Sequence, residues 1–170
     1  MSKNVVFLNL LFFIMGLYST SAFSLSEKDA NPNHWIYFKK TDDFTDKISS
    51  FSMITAKEGI NDGFIILSCK GGNYEEKISV GVLLSEAVNY ANYENVKYRI
   101  DSKPPASVKM DVFQKMAYST KKNSKIITAL ANGNSKVVIQ MLTSSLNQKK
   151  SNFSLSGSTK AINRVLKDCS

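Results

Sequence analysis

Between residues 34 and 155 the apolar side chains come in short bursts of period two, separated by turn residues. A β-rich chain satisfies this pattern and a helical one does not. The cleanest burst is Asn95 to Asp101, in which Val96, Tyr98 and Ile100 share one face and Lys97, Arg99 and Asp101 the other. Trp35 and Tyr37, Ser49 to Ala56, Val108 to Val112, Lys136 to Leu142 and Asn152 to Leu155 repeat the pattern less strictly. Gly63 to Cys69 is a continuous apolar run of the kind that forms a buried strand, and Lys70 to Asn73 is a strong turn signal. Residues 63–80 therefore read as a β-hairpin. Thr41 to Asp43, Glu58 to Gly63 and Lys103 to Pro105 read as breaks, and Lys125 to Asn132 as a short helical turn ending at Gly133.

The last segment changes period. Ala161, Ile162, Val165, Leu166 and Cys169 form one stripe of a helix that Ser158 or Thr159 can cap, with Gly157 at the change of direction. Seven or eight strands followed by one helix predict a mainly β fold, either an antiparallel β-sandwich or a partly open barrel with a C-terminal α-helix.

The first residues set the compartment. Lys3, an apolar run from Val5 to Leu17 and small residues at Thr20, Ala22 and Ser24 read as a secretory signal peptide cleaved near residues 22–24. The run is too short for a membrane span. The expected organisation is a cleaved leader over 1–22, a flexible lead-in over 23–33 and one β-rich domain over 34–170. The predicted location is the periplasm.

Export bears on the two cysteines, Cys69 and Cys169. An even count in an oxidising compartment predicts a disulfide, and their wide spacing excludes a redox Cys-x-x-Cys pair. One cysteine ends a buried strand and the other lies on the apolar stripe of the terminal helix, so the bridge would clamp helix to sheet.

Export also bears on the charge. The chain carries a formal +8, and its 22 basic residues include only two arginines, Arg99 and Arg164. Lysine richness in an exported chain argues against nucleic acid, whose readers favour the arginine fork. It reads either as a solvated surface or as attraction to anionic envelope polymers or membrane surfaces.

Motifs for catalysis are sparse. His34 is the only histidine, which removes multi-histidine metal sites and triads on any other histidine. Asp42, Asp43 and Asp46 lack the spacing of a calcium loop and read as a polar turn. Asp101 and Asp111 would need to converge in a cleft to act as a glycosidase pair. Tyr90, Tyr93 and Tyr98 offer a sugar-stacking alternative to simple core packing. Gly71-Gly72 lacks the following helix of a phosphate loop. The expectation is a protein that is not an enzyme, with no cofactor, no metal and no catalytic residues.

Trp35, Asp43-Phe44-Thr45-Asp46, Leu67-Ser68-Cys69, Tyr98-Arg99-Ile100-Asp101 and Phe153-Ser154-Leu155-Ser156-Gly157 occur in that order, followed by Ala161-Ile162, Val165 and Cys169. The order resembles the VasI/TagO-like periplasmic accessory proteins of bacterial type VI secretion clusters, over roughly residues 35–169. Phe44 stands where that family suggests Met, and Met110-Asp111 where it suggests Trp. The resemblance implies a β-rich accessory domain that binds a protein component of the envelope or the secretion machinery, without catalytic residues. The alternative is a binding module for an envelope polymer, or an inhibitor of a foreign enzyme such as lysozyme.

Overall fold

The computed structural model describes residues 31–70, 78–85, 92–113, 116–120, 124–142 and 147–169. The leader, the first part of the lead-in, the Gly71-Gly72 turn and Tyr90 lie outside these residues. Nine strands are present: β1 (Ile36–Thr41), β2 (Ile48–Ala56), β3 (Gly59–Lys70), β4 (Ile78–Leu84), β5 (Tyr93–Ile100), β6 (Ala106–Phe113), β7 (Met116–Ser119), β8 (Lys136–Leu142) and β9 (Gln148–Ser154). Among the described residues two helices accompany them, α1 (Lys125–Ala131) between β7 and β8, and α2 (Ser158–Asp168) after β9.

The strands form one antiparallel open sheet in the order β1-β2-β3-β4-β7-β6-β5-β8-β9. The mainly β expectation and its C-terminal helix hold. Of the two architectures anticipated, the single sheet is the open one. It curls until β9 approaches β2 and β3, where isolated hydrogen bonds replace a ladder. Lys57 N–H donates to the Asn152 carbonyl (2.9 Å) and Trp35 N–H to that of Ser156 (3.0 Å). The Trp35 indole N–H donates to the Ser154 carbonyl (2.9 Å).

Strand β5 alternates strictly between exposed and buried positions, as its sequence requires. Two strand boundaries differ from expectation. The predicted turn over 58–63 is mostly strand: Lys57 and Glu58 alone make the turn, and Gly59 takes a φ of +116° that an L side chain resists. The short β7 was not anticipated. It is held by its neighbours, with Val82 opposite Ala117 and Val112 opposite Ala117 on its two sides.

The inner face of the curl holds the main core. Ile54, Ile65, Leu67, Val80, Val82, Val96, Ile100, Val137, Ile139 and Phe153 line it, and both helices pack there. From α2, Ala161, Ile162 and Val165 are buried; each larger aliphatic side chain removed from water contributes about 1.5–3 kcal/mol as an upper bound. The anticipated side-chain cap is absent. Gly157 (φ +79°) is the N-cap, and the Thr159 hydroxyl instead donates to the Ala131 carbonyl at 2.6 Å, tying α2 to α1. On β2 the residues beneath α2 are Ser50 and Ser52, small enough for the helix to lie close.

The opposite face of β1–β4 and β7 carries a second apolar set, including Phe51, Met53, Phe64, Leu83 and Met116, all buried. Phe38 and Phe51 stack with ring centroids 5.1 Å apart.

Two devices hold the far end of α2. Cys69 and Cys169 form a disulfide across a sequence separation of 100 residues. Such a bridge fits an oxidising, extracytoplasmic location, and among the described residues no helix is long and apolar enough to cross a membrane. Asp168 accepts hydrogen bonds from the Tyr37 hydroxyl (2.5 Å) and the Lys39 ammonium (3.1 Å). Partial burial works against the Asp168 charge, but these bonds outweigh it and hold the carboxyl below its ordinary value of 3.8. Burial, reinforced by Asp168, pushes the Tyr37 hydroxyl up to about 12.

Replacing both cysteines (Cys69→Ala with Cys169→Ala) is expected to cost about 2–4 kcal/mol of folding stability. Thermal denaturation should read this as a drop of roughly 10 °C. An unchanged melting point would show that the clamp is dispensable.

Candidate functional site

Because β5 alternates so strictly, its outward side chains Tyr93, Asn95, Lys97 and Arg99 form one exposed row. Register extends that row sideways. Asn95 faces Lys109 and Lys97 faces Ser107 on β6. On the other side Lys97 faces Gln140 and Arg99 faces Val138 on β8. Gln140 in turn faces Lys150, and Val138 faces Asn152, on β9. Lys136 continues the outward row of β8 and is exposed. The outer face of β6-β5-β8-β9 thus displays Lys97, Arg99, Lys109, Lys136 and Lys150 among the amides of Asn95, Gln140, Gln148 and Asn152.

Strands about 4.8 Å apart with a rise of about 3.3 Å per residue put Lys97 roughly 7 Å from Arg99 and about 10 Å from Lys150 at the backbone. These separations lie near the Debye length, so the cations repel one another. None of the five is ion-paired among the described residues. The one acidic side chain on the strands of this face is Asp111, opposite Tyr93.

Two shallow depressions lie along the β5–β8 seam. One, of about 630 Å³, is lined by Arg99, Asp101, Ser102, Asn134, Lys136 and their neighbours. The other, of about 440 Å³, is lined by Tyr93, Asn95, Lys97, Gln140, Gln148 and their neighbours. Tyr93 is 48% exposed, and the Lys109 ammonium sits 3.8 Å from its ring centroid.

Asp101 fixes one end of the seam. It sits just past β5 at φ +52°. Its carboxylate accepts from the backbone N–H groups of Asn134 (3.0 Å), Ser135 (2.9 Å) and Lys136 (2.9 Å). These bonds, led by the one from Asn134, hold its carboxyl below the ordinary 3.8. Although Asp101 shares the outward side of β5 with Arg99, the two do not pair: the Arg99 Nε–H donates to the Lys103 carbonyl at 3.1 Å.

The other sequence candidates disperse. Tyr98 is a core residue, 7% exposed, as its shared face with Val96 and Ile100 requires. Asp111 lies opposite Tyr93, at the far end of β5 from Asp101. The two carboxylates are thus on the order of 25 Å apart along the strand, against the roughly 5–9.5 Å of a glycosidase pair. Asp42 closes the β1–β2 turn by accepting from Thr45 (N–H and hydroxyl, both 2.8 Å) and from Phe44 N–H (3.1 Å). Phe44 itself projects from that turn at 91% exposure. His34 lies against Gly157 with its Nδ1 3.1 Å from the Ser156 hydroxyl. Cys69 and Cys169 are consumed by their bridge.

Lys109, Lys136, Lys150 and the outward amides were not singled out by the sequence reading. Alternation alone marks them as outward, but only the strand order places β6, β8 and β9 beside β5. No family model, curated protein or solved structure matches the chain.

For both Asp101 and Asp168 the folded-state value lies below the ordinary one. Their stabilisation is therefore complete above about pH 4 and lost as pH falls through the depressed values. Asp101→Asn and Asp168→Asn should each lower the melting point at pH 7 and flatten its decline between about pH 5 and 2. Parallel curves for wild type and variants would contradict the assignment.

Proposed function

We propose that the protein is an exported, non-catalytic binding domain of the periplasm that acts as an accessory to an assembly of the bacterial envelope and engages another envelope component through the outer face of β6-β5-β8-β9. The observation that carries this reading is the gathering of five cations onto one strand face. Mutual repulsion, partly screened at these separations, works against the arrangement, and an anionic partner relieves it. The non-catalytic part draws on the bridged cysteines, the backbone-bound Asp101 and its distance from Asp111.

Support for a finer assignment, service to a type VI secretion machine, is the order of motifs from Trp35 to Cys169. Four of those segments (Asp43 to Asp46, Leu67 to Cys69, Tyr98 to Asp101 and Phe153 to Gly157) have a structural part: a turn, a disulfide strand, the end of β5 and the entry to α2. An inhibitor of a foreign enzyme such as lysozyme would use an anion-seeking surface of the same kind, but nothing in the face selects an enzyme cleft.

Purified protein should co-sediment with isolated envelope fragments in about 50 mM salt and be released by about 0.5 M, because screening weakens charge-driven binding. Lys97→Glu with Lys150→Glu should abolish the low-salt binding. Retention in high salt, or by the charge-reversed variant, would refute the role of this face. Loss of the protein from its host should reduce type VI secretion, and unaltered secretion would remove that assignment while leaving the binding reading intact.

A further inference from the structure

The two depressions lie end to end along the β5–β8 seam. From Tyr93 to Ile100 the strand spans roughly 23 Å, so the seam offers a shallow track for an extended chain rather than a pocket for a small molecule. Along it lie ammonium and guanidinium cations, primary amides and the half-exposed ring of Tyr93, while the two carboxylates of the lining are turned to the protein: Asp101 accepts from three backbone N–H groups, and Glu94 is buried and accepts from Leu142 N–H.

Each group narrows the ligand. Asn95, Gln140 and Gln148 both donate and accept hydrogen bonds, which suits the hydroxyl and acetamido groups of a sugar polymer. The half-exposed Tyr93 has one ring face under the Lys109 ammonium, which leaves the rest of an apolar ring with a polar tip for a pyranose to pack against. Across the outer face the cations are four lysines to one arginine; Lys97, Lys136 and Arg99 line the depressions, and Lys150 flanks them on β9, opposite Gln140. A phosphate polymer is best met by the bidentate arginine fork, whereas separated lysine ammoniums act as single-point charges and fit isolated carboxylates along a chain. A lipid surface would call for apolar side chains protruding among the cations. Apart from Tyr93, Phe113 is the one exposed large apolar residue on these strands, at 44%, and it ends β6, outside both depressions.

We infer that the β5–β8 seam is a binding track for a linear carboxylated glycan, with Lys97, Arg99 and Lys150 meeting its carboxylates, Gln140 and Asn95 its hydroxyl or amide groups, and Tyr93 one sugar ring. This rests on the reading of the outer face as the working surface, and it adds the chemistry of the partner. Asp101 acts as a positioning residue, since its bonds to the Asn134–Lys136 backbone fix the wall of the larger depression.

The test is titration with a polyuronate hexamer, run beside an uncharged N-acetylglucosamine hexamer and phosphatidylglycerol vesicles. The expected result is saturable polyuronate binding that weakens about tenfold or more for Lys97→Gln with Lys150→Gln, and again for Tyr93→Ala. Lys47→Gln with Lys160→Gln, away from this face, should leave it unchanged. All of these side chains are solvent-exposed, so melting curves should match wild type and confirm folded variants. Equal binding of the uncharged hexamer would overturn the role of the carboxylates. Binding to vesicles alone would replace the glycan with a lipid surface. Failure of the polyuronate with envelope co-sedimentation intact would overturn this inference and spare the broader reading, whereas loss of both would end both.

Discussion

The packing of α2 into the inner face of the curled sheet is the contact on which the rest depends. An open sheet of nine strands has two free edges and a concave apolar surface, and neither is stable in water without cover. Helix α2 supplies that cover through Ala161, Ile162 and Val165. It is held near its start by the bond from the Thr159 hydroxyl to Ala131 of α1 and at its end by the disulfide and Asp168. The serines at positions 50 and 52 belong to the same solution, because a larger side chain there would lift the helix away from β2.

With the inner face committed to the core, the outer face is left to differentiate. Over β1–β4 and β7 it is apolar, and over β6-β5-β8-β9 it is basic and amide-rich. The boundary falls where β7 meets β6, at the point where the chain reverses its order in the sheet. One strand layer thereby carries two chemically distinct sets on its outer side, a buried apolar one and an exposed basic one.

Local pattern made much of this legible. The alternation of β5 and the helix stripe ending in Cys169 follow from spacing of two or of three to four, the hairpin of β3 and β4 from an apolar run and its turn residues, and the disulfide from an even cysteine count in an exported chain. The extension of β3 back to Gly59 was hidden because Asn61, Asp62 and Gly63 are turn formers by composition; the strand carries them as an irregularity between the Thr55–Phe64 and Ala56–Gly59 pairs with β2, and Gly63 pairs with Leu84 of β4 instead. Met116 to Ser119 is too short to announce a strand by itself. The basic face was illegible for a different reason: it depends on pairing β5 with both β6 and β8, and strand order is set by the whole chain. Arg99 and Lys97 could be seen to point outward. That Lys150 stands two strands from Lys97 could not.

The disulfide has a consequence for how the chain matures. Cys69 leaves the ribosome 100 residues ahead of Cys169, an interval of about 5–20 s at ordinary synthesis rates. During that time its thiol has no correct mate. With only two cysteines in the chain, a single internal connectivity exists, so no shuffling step is needed to find it. Biogenesis therefore calls for an oxidant once the last helix arrives, but makes no demand on an isomerase.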